Sequence, residues 1–418
     1  MTCPYPAYRE GIAWAPRLPS HWRNAALRWL ADIYAGGTPS KENLSFWSDG
    51  TIPWLNSGSV NDWSITQPSA LITEEALASS SARWVPAQSV VIGLAGQGRT
   101  KGTAARLEFE ATTNQSMAAI VPAAELDYRF LHYWLVANYQ SIRNLAGGDK
   151  RDGLNLQHIA SVDVVVPPLE EQHAIADYLD RETSRIDTLI DEQQRLIGTL
   201  RERRRSAASD LLGDRVGEGT RLKWFFDELD RRAGVEADTL PLMSVSISWG
   251  VRRRDEVTKD ESRAEDLSNY KICRRGDLVI NRMRAFQGAL GLAPEDGLVS
   301  PDYAVIRARP EVDGEWLAAV MKSDGFVSEM RQRVKGIGST DLGSARTPRI
   351  NISDLGEIRI EVPEVEQQVL EVRQERTQTV KIDGLIMETE RFIELSRERR
   401  SALIMAAVTG QMDVREML

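Results

Sequence analysis

Val166-Pro167-Pro168-Leu169-Glu170-Glu171-Gln172 returns 196 residues later as Val362-Pro363-Glu364-Val365-Glu366-Gln367-Gln368. The echo runs without a gap from residues 155–204 onto 351–400. Asn155 falls on Asn351, Thr183 on Thr379, Ile186-Asp187 on Ile382-Asp383 and Leu189-Ile190 on Leu385-Ile386. Arg195 falls on Arg391, and Arg201-Glu202-Arg203-Arg204 on Arg397-Glu398-Arg399-Arg400. The front of each half also corresponds, Leu27-Arg28-Trp29 with Leu222-Lys223-Trp224. A solenoid unit is about 20–50 residues long, far shorter than this period. The chain is therefore a duplicated module, and each module has two unlike parts.

One part is a long helix. A Val-Pro step ends a preceding strand, and no proline interrupts the next forty or so residues. Gly198 and Gly384 are tolerated interruptions at roughly 1 kcal/mol each. Leu179, Ile186, Ile190, Ile197, Leu200, Ala207 and Leu211 recur at spacings of three, four or seven. Ile382, Ile386, Ile393, Leu403 and Ala407 keep the same seam in the second half. Glu and Arg flank this a/d stripe, and Gln193 and Thr389 occupy matching positions on it, where a polar residue helps to hold register. At about 1.5 Å per residue the first helix would be roughly 65 Å long. The stripe could bury each helix against its own domain. A seam that occurs twice is also self-complementary, which favours the two helices packing on each other.

The other part, at about 27–165 and 222–361, reads as mixed α/β. It is rich in Gly, Ser, Pro and Trp, with short β-type runs at residues 89–92 and 277–280 and buried helices expected over 128–138 and 315–322. The two copies have nearly equal lengths but match poorly. Weak echoes remain in Asp127 with Asp313, Leu131 with Leu317, and Gln97-Gly98 with Gln287-Gly288.

With 418 residues there is room for two or more domains with proper cores. A hydrophobic share of 42% and a charged share of 27% are those of an ordinary soluble protein. No apolar run approaches a membrane span, and the first ten residues lack the layout of a signal peptide. Cys3 and Cys273 stand far apart, which argues against a disulfide framework and fits a reducing cytoplasm. The net charge of −9 sits awkwardly with nucleic-acid binding, so any DNA contact needs local basic clusters or a partner's help.

Enzyme signatures are incomplete. Gly93-Leu94-Ala95-Gly96-Gln97-Gly98-Arg99-Thr100 follows a β-run and approaches the phosphate-binding G-x-x-x-x-G-K-[ST] pattern. Arg99 replaces the lysine, however, and Gly102-Thr103 interrupts the helix that should follow. The only Pro-Pro pair, Pro167-Pro168, lies between Val166 and Leu169, unlike the Pro-Pro-aromatic motif of amino-methyltransferases. Pro301-Asp302 is followed by no acidic-x-Lys within thirty residues. His21, His132, His158 and His173 show no zinc-ligand spacing with the cysteines. No catalytic residue and no metal ligand is assigned.

Groups able to read bases are plentiful. Asn56, Ser57 and Ser59, then Gln97, Arg99 and Lys101, then Asn114 and Gln115, and finally Lys150 and Arg151 lie in glycine- or serine-containing stretches of the first globular part. The second offers Arg252, Arg253 and Arg254, then Asn281, Arg282, Arg284 and Gln287, then Arg346 and Arg349. Such side chains match the hydrogen-bonding edges of base pairs, and adjacent glycines let backbone approach phosphates. Each cluster alone reads as a solvated loop; several in each of two modules shift the balance toward binding. Trp47, Trp54, Trp63 and Trp84 read first as core or loop anchors, with base stacking the lesser alternative.

Longer strings decide the matter. Tyr5-Pro6-Ala7-Tyr8-Arg9-Glu10, Leu18-Pro19-Ser20-His21-Trp22, Gly36-Gly37-Thr38-Pro39, Ile52-Pro53-Trp54, Thr113-Asn114-Gln115-Ser116, residues 276–288 and Val299-Ser300-Pro301-Asp302-Tyr303 resemble the specificity subunit of type I restriction-modification systems. So does the Val166 to Gln172 string, and the resemblance spans essentially the whole chain. It implies an α+β fold: two mixed α/β target recognition domains joined by two long antiparallel helices that form a coiled-coil spacer, with a pseudo-two-fold internal repeat. The boundaries expected are an N-terminal segment 1–26, recognition domains 27–165 and 214–361, spacer helices 166–213 and 362–409, and a tail 410–418. The resemblance further implies that each domain reads one half of a bipartite, asymmetric target in double-stranded DNA. It implies two docked copies of a methyltransferase subunit and a separate translocase and endonuclease subunit, with S-adenosylmethionine, ATP and Mg2+ on those partners and no cofactor here. Two readings from other classes stay open: a self-contained modification or restriction enzyme, and a coiled-coil adaptor whose globular parts bind protein.

Overall fold

In the computed structural model, residues 5–96, 98–146, 153–212, 215–247, 249–257, 266–334 and 348–415 are described, apart from the side chains of 207–211. The chain divides into two units, residues 1–192 with 392–418, and residues 193–391. Each unit holds one globular part and a portion of each long helix.

In the first unit the central strand is Ser89–Gly93, flanked by Met117–Pro122 and Ala104–Leu107 in antiparallel register. Ala31–Ala35 lies outside Met117–Pro122, and Ser64–Ile65 outside Ala104–Leu107. Strand alternation divides the side chains of this sheet between two cores. Val90, Ile92, Ala118 and Ile120 join the larger core, while Val91, Met117 and Ala119 join a smaller one on the opposite face. Helix Tyr128–Ala137 covers the larger core with Phe130, Leu131, Tyr133 and Trp134. It starts where the Asp127 carboxylate accepts from the backbone N–H groups of Arg129 and Phe130, each at 2.9 Å.

The second unit repeats this plan from different letters. Its sheet has the order Phe226–Leu229, Ala304–Ala308, Leu278–Ile280, Leu290–Leu292, which matches the first four strands of the other sheet. Leu278 and Ile280 face one core and Val279 the other. Helix Gly314–Lys322 caps on Asp313 and buries Trp316, Leu317, Val320 and Met321. Asp127 with Asp313 and Leu131 with Leu317, faint echoes in sequence, are thus the helix caps and the first buried turns. Burial of the sulfur pushes the Cys273 thiol up to about 12, which leaves it an inert packing group.

Both long helices form, over Leu169–Leu212 and Val365–Val408, just beyond the prolines that end the preceding strands. Those strands, Asp163–Val166 and Arg359–Ile360, pair antiparallel with Arg23–Ala26 and Val216–Arg221. One glutamine locks each helix start to its globular part. Gln172 Nε2 donates to the carbonyls of Pro167 and Glu125 at 2.8 and 2.9 Å, and its Oε1 accepts from the Asp127 N–H at 2.8 Å. Gln368 does the same with Pro363 and Glu311 at 2.7 and 3.0 Å, and with the Asp313 N–H at 2.7 Å. Both side chains are fully buried.

Within each unit the helices run antiparallel. In the first, Ile175 and Leu179 share a core with Ile404, Ala407 and Val408, and Arg400 pairs with Asp187 at 2.8 Å. In the second, Arg204 pairs with Asp383 at 2.7 Å and Arg201 with Glu390 at 3.1 Å. Of the seam, Leu179, Ile186, Ile190, Ile197, Ile382 and Ile393 are buried, while Leu200, Ile386 and Leu403 are half-buried. Beside Leu403 it is Ile404 that goes fully inside. The side chains of Ala207 and Leu211 lie outside the described residues. Thr389 is buried with its hydroxyl on the Leu385 carbonyl at 2.7 Å, and Gln193 is half-buried. Among the described residues, no helix is long and apolar enough to cross a membrane.

Candidate nucleic-acid interface

In the first unit three of the four polar stretches begin at neighbouring strand ends. Strands Ile52–Leu55 and Ala111–Thr113 pair in parallel, with Thr113 opposite Leu55. The next residues, Asn56 and Asn114, therefore leave the sheet side by side, and the Asn114 N–H still donates to the Leu55 carbonyl. The loop after Gly93 starts beside them, because the Leu94 N–H donates to the Ser116 carbonyl at 2.8 Å.

Each loop is pre-shaped by its own short hydrogen bonds. Asn56 Oδ1 accepts from the Gly58 N–H at 2.7 Å, and Asn114 Oδ1 from the Ser116 N–H at 3.0 Å. The Ser59 hydroxyl meets that of Ser69 at 2.7 Å, and Ser57 is half-buried beside it. Gln115 is exposed, with its Oε1 accepting from the Thr38 hydroxyl. The loop after Gly93 turns on Gly96, Gly98 and Gly102, whose φ values of 141°, 66° and 80° favour glycine. Its chain then returns as Ala104–Leu107, antiparallel to Ser89–Gly93. The near-match to a phosphate loop is thus a hairpin tip, with no helix N-terminus behind it.

Two residues not singled out from sequence brace this tip. Arg143 donates to the carbonyls of Gly98 and Lys101 at 2.8 and 3.1 Å, and the Tyr139 hydroxyl donates to the Arg99 carbonyl at 3.0 Å. Arg99 itself projects outward, whereas Lys101 is only 8% exposed and packs inside. Tyr139 and Arg143 stand four apart on one short helix, a spacing legible in sequence although its target was not. Gln97, Lys150 and Arg151 lie outside the described residues.

The Trp side chains act chiefly as anchors. Trp54 is buried and donates to the Gly37 carbonyl at 3.0 Å, with Trp47 packed edge-on at 5.1 Å. Trp63 is held between His132, edge-on at 4.5 Å, and the Arg400 guanidinium 4.3 Å from its ring. This ties the Asn56 loop's far end to the second long helix. Trp84 is the exposed member of the four. Burial and the neighbouring Arg106 push His132 down to about 3, so it stays neutral and structural.

In the second unit the loop after Leu278–Ile280 carries Asn281, Arg282, Arg284 and Gln287. Arg284 and Gln287 are exposed, and the loop turns back at Gly288 with φ 92°. Asn281 is buried, its Oδ1 accepting from the Met283 N–H and its Nδ2 donating to the Tyr303 hydroxyl at 3.3 Å. Arg282 turns inward and donates to the Ile350 carbonyl at 3.2 Å and to Asn351 Oδ1 at 2.9 Å. The expected reader is here a brace between its loop and residues 350–351. Arg253 is engaged by Asp255 at 2.7 and 3.1 Å. Arg252 and Arg349 are exposed, and Arg346 lies outside the described residues. Arg254 and Arg284 both act on the Tyr303 phenol, whose burial raises its pKa while the two cations lower it. The Arg254 Nε is buried with no acceptor among the described residues. Tyr303, quoted from sequence only within the Val299 to Tyr303 string, thus ties down this loop through Asn281. Of the candidates described in this unit, Arg252, Arg284, Gln287 and Arg349 are exposed.

Among the described residues no three His, Cys, Asp or Glu side chains gather as a metal site.

Comparison with known proteins agrees with this geometry. Residues 19–196 match the family described as the type I restriction modification DNA specificity domain. The chain is 28% identical over 211 residues to the specificity subunit of the type I restriction enzyme EcoR124I/EcoR124II of Escherichia coli, a match covering 50% of this chain and 52% of that one. It is 27% identical over 157 residues to the HindI specificity subunit of Haemophilus influenzae, covering 37% and 33%. The chain thus spans about half or less of the length of the curated relatives it matches. A structure from a study of assembly and conformational transition in a type I R-M system superposes with a TM-score of 0.71 over 94% of this chain and 99% of the other, at 15% identity. The HsdS subunit from Thermoanaerobacter tengcongensis does so with a TM-score of 0.52 over 94% and 98%, also at 15% identity. At such identity these two speak for the fold alone. Residues 19–196 thus match the type I restriction modification DNA specificity domain, and the chain is similar to the specificity subunits of type I restriction enzymes.

Proposed function

We propose that this chain is the DNA-reading subunit of a type I restriction-modification complex and carries no chemistry of its own. Each globular part reads one half of a bipartite, asymmetric target in double-stranded DNA. One observation carries the reading: the two parts share strand order, helix cap and glutamine lock, yet present different loops, Asn56, Arg99 and Gln115 in one against Arg252, Arg284 and Gln287 in the other. Identical readers would suit a palindrome, whereas unlike readers on a repeated frame call for two different half-sites. Half-sites read from one face of the duplex lie about one turn, ~34 Å, apart, and the long helices are the parts suited to hold that distance.

The helices also carry exposed apolar side chains at repeat-equivalent places, Leu189 with Leu385 and Leu196 with Phe392. Two copies of one methyltransferase subunit fit such a doubled surface. S-adenosylmethionine, ATP and Mg2+ belong in this reading to that subunit and to a translocase and endonuclease subunit. The complex would work in the cytoplasm. The net charge of −9 is compatible with DNA binding if partner chains supply part of the phosphate contact.

The test is sequencing of modified DNA from cells expressing this chain with its cognate methyltransferase. A split adenine-methylated target with unlike halves is the expected outcome. Methylation by the purified chain alone would favour a self-contained enzyme, and no DNA retention with the partner present would favour an adaptor.

A further inference from the structure

Trp29 and Trp224 stand at equivalent places in the two units and are both largely in solvent, at 74% and 59% exposure. Each ends a one-turn 3-10 helix, Leu27–Trp29 and Leu222–Trp224. The turns are built alike. Leu27 and Leu222 are fully buried, and their N–H groups donate to Val162 and Ile358 carbonyls, each at 2.8 Å. The following residues, Leu30 and Phe225, accept from the N–H groups of Ala123 and Arg309 at 2.8 and 2.9 Å. Two residues beyond these lie Glu125 and Glu311, whose carbonyls meet the glutamine locks of the helices. A cation stands by each indole, Arg28 at 5.9 Å from the Trp29 ring and Lys223 at 5.8 Å from that of Trp224.

Neither turn needs an indole for its own stability, because the buried leucine and the backbone bonds shape it. One exposed tryptophan would call for no explanation. Two, on matching turns of globular parts whose sequences otherwise diverge, imply a surface that is the same on both sides. Base edges are not, since the reading loops differ. Phosphates are the same everywhere, and an indole N–H can donate to one, but the broad apolar face of the ring gains nothing there. Stacking on a base requires an unpaired strand. A protein partner present in two copies satisfies every condition, and tryptophan is prominent among residues that dominate such contacts.

We propose that Trp29 and Trp224 are the two anchors by which two copies of the methyltransferase subunit grip this chain, each indole filling an apolar pocket on one copy. This rests on the function proposed above. Locked to the helix starts through Gln172 and Gln368, the anchors hold each copy in fixed relation to the unit it serves.

The experiment is native mass spectrometry and calorimetric titration of the full chain with its methyltransferase subunit. The unaltered chain takes two copies. Trp29→Ala and Trp224→Ala should each weaken one of the two sites at least about tenfold and leave the other unchanged, while Trp29→Phe keeps part of the loss restored. The double variant should weaken both. Melting temperatures equal to that of the unaltered chain show that the turns are intact. Two copies bound by both single variants at unaltered affinity would overturn the assignment and leave the function standing. Weakened DNA binding with assembly unchanged, or loss of a self-association of this chain, would also overturn it in favour of a nucleic-acid or a self-contact. No methyltransferase bound by the unaltered chain would overturn the proposed function and this assignment with it.

Discussion

Arg204 Nε lies 2.7 Å from a carboxylate oxygen of Asp383, and the residues 196 positions away from each, Arg400 and Asp187, make the same contact at 2.8 Å. One ion pair of the helix seam thus occurs once in each unit, made in one by the arginine of the first helix and in the other by that of the second. This is how a duplicated antiparallel seam closes on itself.

The two pairs differ in surroundings, and their deletion should differ too. Arg204 and Asp383 are both nearly half exposed, so Asp383→Ala should cost under about 1 kcal/mol. Arg400 is 17% exposed and lies over the Trp63 ring, so Arg400→Ala loses packing as well as charge and should cost about 2 kcal/mol or more. Denaturant midpoints of the two variants measure the contrast. Equal losses would show that Trp63 adds nothing to the pair.

Gln172→Ala and Gln368→Ala each remove three hydrogen bonds at a buried junction. A buried polar group left unpaired costs about 1–3 kcal/mol, so each variant should lower the melting temperature clearly. Glutamate at either position can accept from the Asp127 or Asp313 N–H but cannot donate to the two carbonyls, and should rescue little. Melting curves of the four variants check this.

Arg282→Ala should destabilise the second unit, because it frees the Ile350 carbonyl and Asn351 from their brace. Arg284→Ala should leave stability unchanged and weaken one half-site only, by roughly 1–3 kcal/mol if the guanidinium meets a guanine. Gln115→Ala should do the same at the other half-site. Competition binding with each half-site scrambled in turn separates the effects. Loss at both halves from Arg284→Ala would point to misfolding.

His132 makes the first unit sensitive to acid. Folding pushes its pKa from 6.5 down to about 3, so below pH 6.5 the unfolded chain takes up a proton that the folded chain refuses. Stability contributed by the neutral ring is complete above that value and falls by about 1.4 kcal/mol per pH unit until the folded state also titrates. Unfolding midpoints between pH 4 and 7 should show this slope, and His132→Gln should lose it.

Insertion of one helical turn into both long helices, after Ile190 and after Ile386, should lengthen the unread gap between half-sites and leave both half-site sequences unchanged. Sequencing of modified DNA from cells carrying the variant reads this directly. Altered half-site letters would contradict this division of roles between helices and loops.

Much of the fold is legible in the letters because its determinants are local. Ser89–Gly93 and Leu278–Ile280 are short apolar β-type runs, and the heptad seam marks two helices. Asp127 and Asp313 are recognisable as repeated letters three or four residues ahead of buried ones. The site was less legible. Arg282 has the composition of a reader, but its acceptors lie at Ile350 and Asn351, too distant in sequence for any spacing rule to reach. Lys101 and Asn281 sit among glycines like their exposed neighbours and are nonetheless buried.

By itself the sequence determined that the chain is doubled, that its frame is helical and repeated, and that its globular parts have diverged. These follow from a heptad seam of local spacing and from a direct alignment of the chain on itself at an offset of 196 residues. Only the tertiary structure decided that the diverged parts keep one strand order, that the loops of Asn56, Arg99 and Gln115 begin at neighbouring strand ends, and which arginines brace loops and which face outward. Parallel pairing of strands far apart in sequence and hydrogen bonds across tens of residues decide those matters, and no local pattern encodes them.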